Sequence, residues 1–327
     1  MINYPLVSFI IPLFNKEEFI ANCIGSVLKQ TYPNYEIIIV DDGSTDSSKD
    51  IVNEFIKGTD KIKYCYQENK GVSIARNKGI ELCNGEFVLF LDADDSIAPD
   101  FVQNLISNHQ EGDDIVICGL TKVFEHKNIK KVNVPNNGSF SKEQIFKDFL
   151  FHQQKDGIYG FVCSKLIKSE IVKNNNIQFN ENIKLAEDLD FFIQYYSFCK
   201  RFKLIDGNGY YYYQDSNSDS KKNVDYIQLI GVYLKLQQIL LKSDCLNTDN
   251  RSALQYLFSE FKLAYFNELK TINKKVIKRG IKELIDFQIV NTKKNKIIKW
   301  LVESELVFFL ITYLKFRLLY INVKTRI

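Results

Sequence analysis

Three carboxylates stand within four positions in EFVLFLDADDS, where Asp92, Asp94 and Asp95 follow an apolar run. The length and composition of residues 87–91 predict a buried strand. Like charges at the end of such a strand repel one another, which raises the cost of keeping all of them ionised. Hard divalent cations such as Mg²⁺ and Mn²⁺ bind carboxylate and phosphate oxygens, usually with only one or two protein carboxylates. The D-x-D spacing therefore indicates a metal and phosphate site, and a solvated turn before Pro99 is the structural alternative.

A second acidic turn, VDDGSTDSS, follows another apolar run at residues 35–40. Asp41 and Asp42 at the end of a strand could accept hydrogen bonds from a base or a ribose. The structural alternative is a helix N-cap cluster, since Ser and Asp are favoured there. One Asp would be sufficient for such a cap, so the pair favours ligand binding.

Two further segments contribute charged side chains. Arg76 lies near the start of a predicted helix, 72–83, that leads into the D-x-D strand. An arginine there could bridge phosphate or hold an aspartate in place, or it could be an ordinary surface cation. Glu187 and Asp188 lie among apolar residues at a predicted helix start, where the helix dipole favours acids. A carboxylate in that setting could also act as a general base.

These side chains are positioned by strand and helix patterns that alternate over the first 118 residues. Continuous apolar strands separated by amphipathic helices predict an α/β fold with a mostly parallel sheet covered on both faces. Ligands bind beyond the carboxyl ends of such strands, where both acidic turns lie. After residue 118 the pattern predicts a polar hairpin and helices near 141–151, 163–174 and 185–196. Helices are also predicted over residues 225–290.

Four segments in this order resemble a known family: VSFIIPLFNKEEFI, VDDGSTDSS, GVSIARNKGI…GEFVLFLDADD and AEDLDF. The chain is similar to family 2 glycosyltransferases with the GT-A fold, in particular bacterial enzymes that build capsular, exopolysaccharide and lipopolysaccharide sugars. The resemblance covers about residues 5–215. It implies a nucleotide-sugar-binding and catalytic domain over residues 1–215, with a Rossmann-like, mostly parallel sheet flanked by helices. Beyond residue 215 the resemblance gives little; the polar, turn-prone stretch near 215–224 and the residue pattern after it predict a helical C-terminal extension over residues 216–327.

The resemblance implies a nucleotide site at the first two strand ends. The segment from Pro12 to Asn15 would line the base, with Phe14 at a position where an aromatic ring can stack on it. Asp42 would accept a hydrogen bond from the base, and Asp41 would support the turn.

The resemblance also implies a divalent metal, Mn²⁺ or Mg²⁺, in the acidic loop. Asp94 would bind the metal that bridges the diphosphate, with Asp95 adjacent. Asp92 would face the ribose and belong to the same metal loop. Arg76 would lie near the nucleotide and help to order the loop.

Asp188 would be the catalytic base, with Glu187 as its supporting neighbour. A single base opposite the leaving group implies in-line displacement with inversion at the anomeric carbon. The implied donor is a nucleotide sugar, UDP-linked by resemblance. The implied acceptor is a hydroxyl of a saccharide or of a lipid-linked saccharide.

The chain departs from many relatives at Gln214, where they carry an arginine in a loop that closes over the diphosphate. Lys221 or Lys222 could take that part, or the loop does not contact phosphate in this protein.

The C-terminal part carries most of the positive charge. From residue 271 onward there are 13 Lys or Arg and 4 Asp or Glu, although the net charge of the chain is only +3. The basic amphipathic segment 274–320 could lie on an anionic membrane surface, or it could pack on the catalytic domain or on a second subunit of a homo-oligomer. Its longest charge-free run, nine residues from Leu306, is too short to span a bilayer. No signal-peptide pattern opens the chain, so we expect a cytoplasmic protein, peripheral on the inner face of the membrane if this segment binds lipid.

Other functions fit the motifs less well. DADDS resembles the nucleophile loop of haloacid-dehalogenase-type phosphatases, but that motif is expected on a first strand and here follows the fourth. A nucleotidyltransferase would need a Gly-rich, basic first loop, which IPLFNKEEF is not. A non-catalytic sugar-nucleotide-binding protein would be favoured if Asp188 lay far from the acidic loop. The basic tail matches no nucleic-acid-binding motif, so no nucleic-acid partner is expected.

Overall fold

The computed structural model describes residues 4–124, 128–214 and 226–243. The predicted domain boundary near residue 215 and the basic segment 274–320 lie outside the described residues. The two-domain division, membrane-surface binding and oligomer contacts therefore stay predictions. No helix within the described ranges is long and apolar enough to cross a membrane.

The first part of the chain alternates strands and helices, as the sequence predicts. The strands are β1 (Val7–Leu13), β2 (Tyr35–Asp41), β3 (Ile62–Tyr66), β4 (Phe87–Phe90), β5 (Ser96–Ile97) and β6 (Ile115–Cys118). The helices are α1 (Ile20–Leu28), α2 (Ser48–Gly58), α3 (Val72–Leu82) and α4 (Phe101–Asn108). Every residue of β1, β2 and β4 is buried, which explains why these strands are continuous apolar runs rather than alternating ones.

The later elements complete two sheets. They are β7 (Leu120–Phe124), β8 (Ile129–Val132), β9 (Gly138–Ser141), α5 (Lys142–Lys147), α6 (Phe149–Lys155), β10 (Lys165–Lys168), α7 (Ser169–Asn174), α8 (Glu187–Phe198), β11 (Arg201–Ile205), β12 (Tyr210–Gln214) and α9 (Tyr226–Lys242). The predicted polar hairpin is the antiparallel pair β7 and β8. The predicted helix over 163–174 is wrong in its first half, because β10 inserts between β4 and β6 and pairs with both. A short apolar run does not distinguish strand from helix by itself, and here the two neighbouring strands decide.

The large sheet has the order β3-β2-β1-β4-β10-β6-β11-β9, and only β10 and β9 run antiparallel to their neighbours. A smaller sheet has the order β5-β12-β7-β8. In the large sheet β2 and β4 flank β1 on opposite sides, so the chain reverses its direction of winding at β1. The carboxyl ends of these strands form the kind of crevice in which α/β proteins bind ligands.

Helix α3 lies very close to β1, and Gly79 makes this approach possible. A Cβ built on Gly79 would lie 2.3 Å from Cγ2 of Ile10, whose side chain is fully buried. Ile10 is fully buried, and a shift of its side chain is costly because protein interiors are close-packed. The spacing between the helix and the sheet is therefore set by the absence of a side chain at this position.

We expect Gly79→Ala to destabilise the protein by about 1–3 kcal/mol, since overpacking outweighs the better helix propensity of alanine. Gly25→Ala in α1 is the matched control, because a Cβ at this position would have no atom within 4 Å apart from its chain neighbours and its own helix backbone. That variant should gain about 0.5–1 kcal/mol. Urea unfolding of both variants measures the difference. Equal stability of the two would contradict the close approach of α3 to β1.

Candidate active site

A pocket of about 670 Å³ opens at the carboxyl ends of β1, β2 and β4. It brings together most of the residues that the sequence nominates for the nucleotide and the metal. Those in its lining are Pro12, Phe14, Asn15, Asp42, Arg76, Asp92 and Asp94. The lining also includes Lys16 from the loop after β1 and Tyr212, Tyr213 and Gln214 from β12. Lys221 and Lys222, the other candidates for contacting phosphate, lie outside the described residues.

The loop after β1 is locked to the loop after β2. Asn15 adopts a left-handed backbone with φ of +49°, and its Oδ1 accepts a hydrogen bond from the backbone N–H of Thr45 at 2.8 Å. Its own N–H donates to Oγ of Ser44 at 3.0 Å. Asn is among the residues that tolerate this conformation. The neighbouring Phe14 ring is left 45% exposed in the pocket, where a planar base could stack on it.

Asp41 is buried and holds its own turn. One carboxylate oxygen accepts the N–H of Ser44 at 2.8 Å, and the other accepts the hydroxyl of Tyr64 at 2.6 Å. Asp41 does not line the pocket, so its placement agrees with a supporting role rather than direct contact with a ligand.

Asp42 lines the pocket and fixes the start of α3. Its carboxylate accepts the backbone N–H groups of Lys70 and Gly71 at 2.8 and 2.7 Å, and the side-chain amide of Gln67 at 2.7 Å. A carboxylate offers about four acceptor positions, so three donors leave room for one more. Asp42 can therefore hold the loop and still accept a hydrogen bond from a ligand.

The three aspartates of the acidic loop have different partners. Asp92 is paired with Arg76, and Asp94 is paired with Nζ of Lys16 at 2.6 Å. Asp95 is 1% exposed, and its oxygens accept the Tyr210 hydroxyl at 2.7 Å and the Tyr213 backbone N–H at 2.9 Å. Burial, together with the charges of the other two aspartates, raises the pKa of Asp95 well above its usual value.

Asp95, which the resemblance places beside the metal-binding Asp94, differs from Asp92 and Asp94 in its surroundings. Its side chain does not line the pocket, and both of its oxygens are engaged in attaching β12 to the acidic loop. The physical reason is that the third acid of the loop is directed into the core rather than toward the pocket, where a tyrosine hydroxyl and a backbone N–H satisfy it.

A single guanidinium joins the acidic loop to the predicted base. Arg76 is 4% exposed, and its Nη2 lies 2.8 Å from Oδ1 of Asp92. Its Nη1 lies 2.6 Å from Oδ1 of Asp188 and 3.3 Å from Oε1 of Glu187. The planar fork of arginine is suited to contacting carboxylates on two sides at once. The sequence placed Arg76 near the acidic loop but gave no sign that it also contacts the Glu187–Asp188 pair.

Asp188 is held at both oxygens. Oδ1 accepts from Arg76, and Oδ2 accepts the backbone N–H of Val162 at 3.2 Å. Burial raises the pKa of Asp188 to about 7; the charges of Glu187 and Asp92 add to this effect, and Arg76 opposes it. A carboxyl group that titrates near neutral pH is well suited to accept a proton in a reaction.

The helix that carries this pair begins with a strained residue. Ala186 caps α8 with a left-handed φ of +64°. For a residue with a side chain this conformation costs roughly 1 kcal/mol or more, and such strain concentrates at functional sites. The acids in the first turn of α8 also lie at the positive end of the helix dipole.

One buried cation was not foreseen from the sequence. Lys165 is fully buried at the start of β10, and its ammonium donates to the backbone carbonyls of Phe161 and Cys163. Burial lowers the pKa of Lys165 to about 8. These carbonyls flank Val162, the residue that donates to Asp188. Lysine is rarely buried, so the pattern CSKLIK gives no signal that could have identified this residue.

Two carboxylates in the pocket, Asp92 and Asp94, could hold a divalent cation. The described residues contain no cluster of three or more His, Cys, Asp or Glu arranged for a metal. Mg²⁺ and Mn²⁺ bound together with a diphosphate need only one or two protein carboxylates, because phosphate and water supply the other oxygens. The donor set therefore fits a hard cation that binds together with a phosphate ligand.

Two comparisons place the chain among known proteins. The family model described as "Glycosyl transferase family 2" matches residues 8–173. The chain belongs to glycosyl transferase family 2. It is 33% identical over 219 residues to the uncharacterized glycosyltransferase EpsJ of Bacillus subtilis (strain 168), a match that spans 65% of this chain and 62% of EpsJ. The family expected from the four motifs is confirmed.

Solved structures support the expected fold. The chain is similar to S. aureus TarS 1-349 in complex with UDP, with a TM-score of 0.65 and 22% identity over 89% of this chain and 82% of TarS 1-349. It is also similar to the mannosyltransferase PcManGT from Pyrobaculum calidifontis in complex with GDP-Man and Mn²⁺, with a TM-score of 0.52 and 14% identity over 92% of this chain and 85% of PcManGT. The prediction of a GT-A fold, a mostly parallel sheet flanked by helices, is confirmed.

We expect Arg76→Met to destabilise the protein by about 3–5 kcal/mol near neutral pH, because the variant leaves three carboxylates together without their cation. The loss should shrink as the pH falls, since Arg76 holds down the pKa of Asp188; without Arg76 that pKa would rise, and protonation of Asp188 would remove part of the repulsion. Urea unfolding at several pH values measures both effects.

Lys78→Met on the same helix is the control, because its pair with Glu81 lies on the surface and should contribute nothing measurable. A loss for Arg76→Met that does not depend on pH would contradict the role of Arg76 as the shared partner of the acids.

Proposed function

We propose that this protein is a metal-dependent, inverting glycosyltransferase. It would move a sugar from a UDP-sugar donor to a hydroxyl of a saccharide or lipid-linked saccharide acceptor during synthesis of a surface polysaccharide. The observation that carries the proposal is the contact of Arg76 with both Asp92 and Asp188. Through Arg76, which lines the pocket, this contact joins a carboxylate of the acidic loop to the candidate base Asp188. Family membership supports glycosyl transfer, and the likeness to a UDP-bound protein supports the choice of nucleotide.

The donor would bind along the carboxyl ends of β1, β2 and β4. Phe14 would stack on the base, Asn15 and Pro12 would line it, and Asp42 would accept a hydrogen bond from it. The diphosphate would then lie toward Asp92 and Asp94, which would hold Mn²⁺ or Mg²⁺. The bound cation would neutralise the charge that develops on the leaving diphosphate. A Mn²⁺ complex of a protein with a similar fold supports the choice of metal.

Asp188 would act as the base. Arg76 and the Val162 N–H fix the orientation of its carboxylate, and a pKa near 7 leaves a large ionised fraction at neutral pH. As the acceptor oxygen bonds to the anomeric carbon, the bond from that carbon to the diphosphate breaks and the hydroxyl proton passes to Asp188. Attack from the face opposite the leaving group inverts the configuration. Glu187 shares Arg76 with Asp188 and would act only by positioning it.

The first test is calorimetric titration with UDP in the presence and absence of Mn²⁺. We expect binding that requires the metal and that Asp94→Ala abolishes, because this variant loses a ligand oxygen for the cation. Asp50→Ala, which removes an exposed acid of α2, should bind UDP as the wild type does. UDP binding that is equally strong without metal would overturn metal dependence. No binding of UDP by the folded wild type would overturn the choice of donor.

The second test measures UDP release from UDP-sugars as a function of pH. Ionised Asp188 is the active form, so we expect the rate to fall as the pH decreases through about 7. Asp188→Asn keeps the shape of the side chain but cannot accept the proton, and should lose roughly 10²–10⁴-fold in rate. Its affinity for UDP should be unchanged. UDP binding with no turnover of any UDP-sugar would instead favour a non-catalytic sugar-nucleotide-binding protein.

A further inference from the structure

The two pocket carboxylates of the acidic loop have very different counter-cations. Asp92 is paired with Arg76, which is buried and held by two further acids. Asp94 is paired with Lys16, and these two side chains are 33% and 37% exposed, respectively. One cation is therefore fixed in place by several partners, whereas the other faces the open pocket with a single carboxylate partner.

The backbone of Lys16 is fixed, although its side chain is not enclosed. Its N–H donates to Oγ of Ser48 at 2.9 Å, and its carbonyl accepts the N–H of Ile20 at 2.9 Å at the start of α1. The ammonium is a compact charge at the end of a flexible four-carbon stem. It can therefore change its position within the pocket while the backbone stays where it is.

The Lys16 ammonium occupies one of the two Asp94 oxygens that could bind a metal. Its Nζ lies 2.6 Å from Oδ2 of Asp94, and a cation coordinated by that oxygen at about 2.0–2.2 Å would meet both its bulk and its charge. Lys16 and Arg76 are also the only cations in the described lining of this pocket. Because Arg76 is engaged by three acids, Lys16 is the cation in that lining that can be transferred to a phosphate.

We propose that Lys16 is an exchangeable counter-cation. Its ammonium neutralises Asp94 until a divalent metal takes that oxygen, and it then pairs with the diphosphate of the donor. The inference rests on the proposed function and goes further, because it couples metal binding to donor binding through one side chain. It also supplies a phosphate contact in a pocket where Gln214 contributes no charge.

Metal affinity without nucleotide tests the first half of the exchange. Binding of Mn²⁺ is measured by electron paramagnetic resonance for the wild type, Lys16→Met, Lys16→Arg and Lys49→Met. Without the competing ammonium, Lys16→Met should bind Mn²⁺ about two- to five-fold more tightly, the range expected for losing a partly exposed ion pair. Lys16→Arg keeps the competing charge and should resemble the wild type.

Lys49→Met removes the same charge from a neighbouring exposed lysine, whose ammonium lies over the Tyr66 ring rather than at Asp94. It should leave the affinity for Mn²⁺ unchanged. This control separates direct competition at Asp94 from a general change in the charge of the protein.

Affinity for UDP and for uridine at saturating Mn²⁺ tests the second half. Lys16→Met should bind UDP about ten-fold more weakly, because a charged hydrogen bond to phosphate is lost. Its affinity for uridine, which has no phosphate, should not change. The exchange thus predicts that Lys16→Met binds Mn²⁺ more tightly and UDP more weakly than the wild type. A variant that is simply misfolded would bind both of these ligands more weakly.

Unchanged affinity of Lys16→Met for Mn²⁺ would overturn the exchange, and so would equal tightening in Lys49→Met or unchanged affinity of Lys16→Met for UDP. If Asp94→Ala still abolishes metal-dependent UDP binding in these cases, the proposed function stands and only the role of Lys16 falls. If neither the wild type nor Lys16→Met binds Mn²⁺, with or without UDP, the metal site itself is wrong and both proposals fail.

Discussion

The buried guanidinium of Arg76 is the interaction on which the rest of the site depends. It neutralises acids from two segments that are far apart in the sequence, the loop after β4 and the start of α8. Arg76 and Gly79 are three residues apart in α3 and so share a face of the helix. The missing side chain at Gly79 lets α3 lie close to β1, and this places Arg76 within reach of the strand ends. An aromatic stack completes the arrangement: the Arg76 guanidinium lies 5.3 Å from the Phe179 ring, which is stacked 4.1 Å from Phe191 of α8.

The three aspartates of the acidic loop have different partners and different degrees of burial. The carboxyl of Asp95 is directed inward and attaches β12 to the loop, which places Tyr212, Tyr213 and Gln214 along the pocket. Asp92 is paired with Arg76, which is fixed by several acids, and Asp94 is paired with Lys16, the exchangeable cation. Three carboxylates this close could not all remain ionised in a buried setting. Burial of one, with a raised pKa, and pairing of the other two reduce that repulsion.

The central strands of the large sheet and the acids at their ends could be predicted from the residue pattern alone. The continuous apolar runs of β1, β2 and β4 identify strands buried on both sides, and the acids that follow them must then meet at one edge of the sheet. The four motifs in order carry the resemblance to the family, and the family model over residues 8–173 confirms it. Short elements were less predictable. The local pattern around the antiparallel strand β10 predicts a helix, because KLIK is too short to show a period. Its partner strands β4 and β6 are distant in the sequence, so the local pattern does not reveal the pairing.

The sequence by itself determined which residue types stand at the strand ends and at the start of α8, and hence the chemistry open to the site: acids for a cation and an aromatic ring for a base at the strand ends, and an acid for proton transfer in α8. Only the tertiary structure decided how these groups are paired. The Asp95 side chain is buried, and Lys16 is paired with Asp94. Lys165 is buried and donates to the backbone next to Val162, the residue that donates to Asp188. These outcomes depend on contacts between segments many residues apart and on the direction in which each side chain points. Local periodicity indicates only the face of a helix or strand on which a residue lies, so it does not show which distant group a side chain contacts.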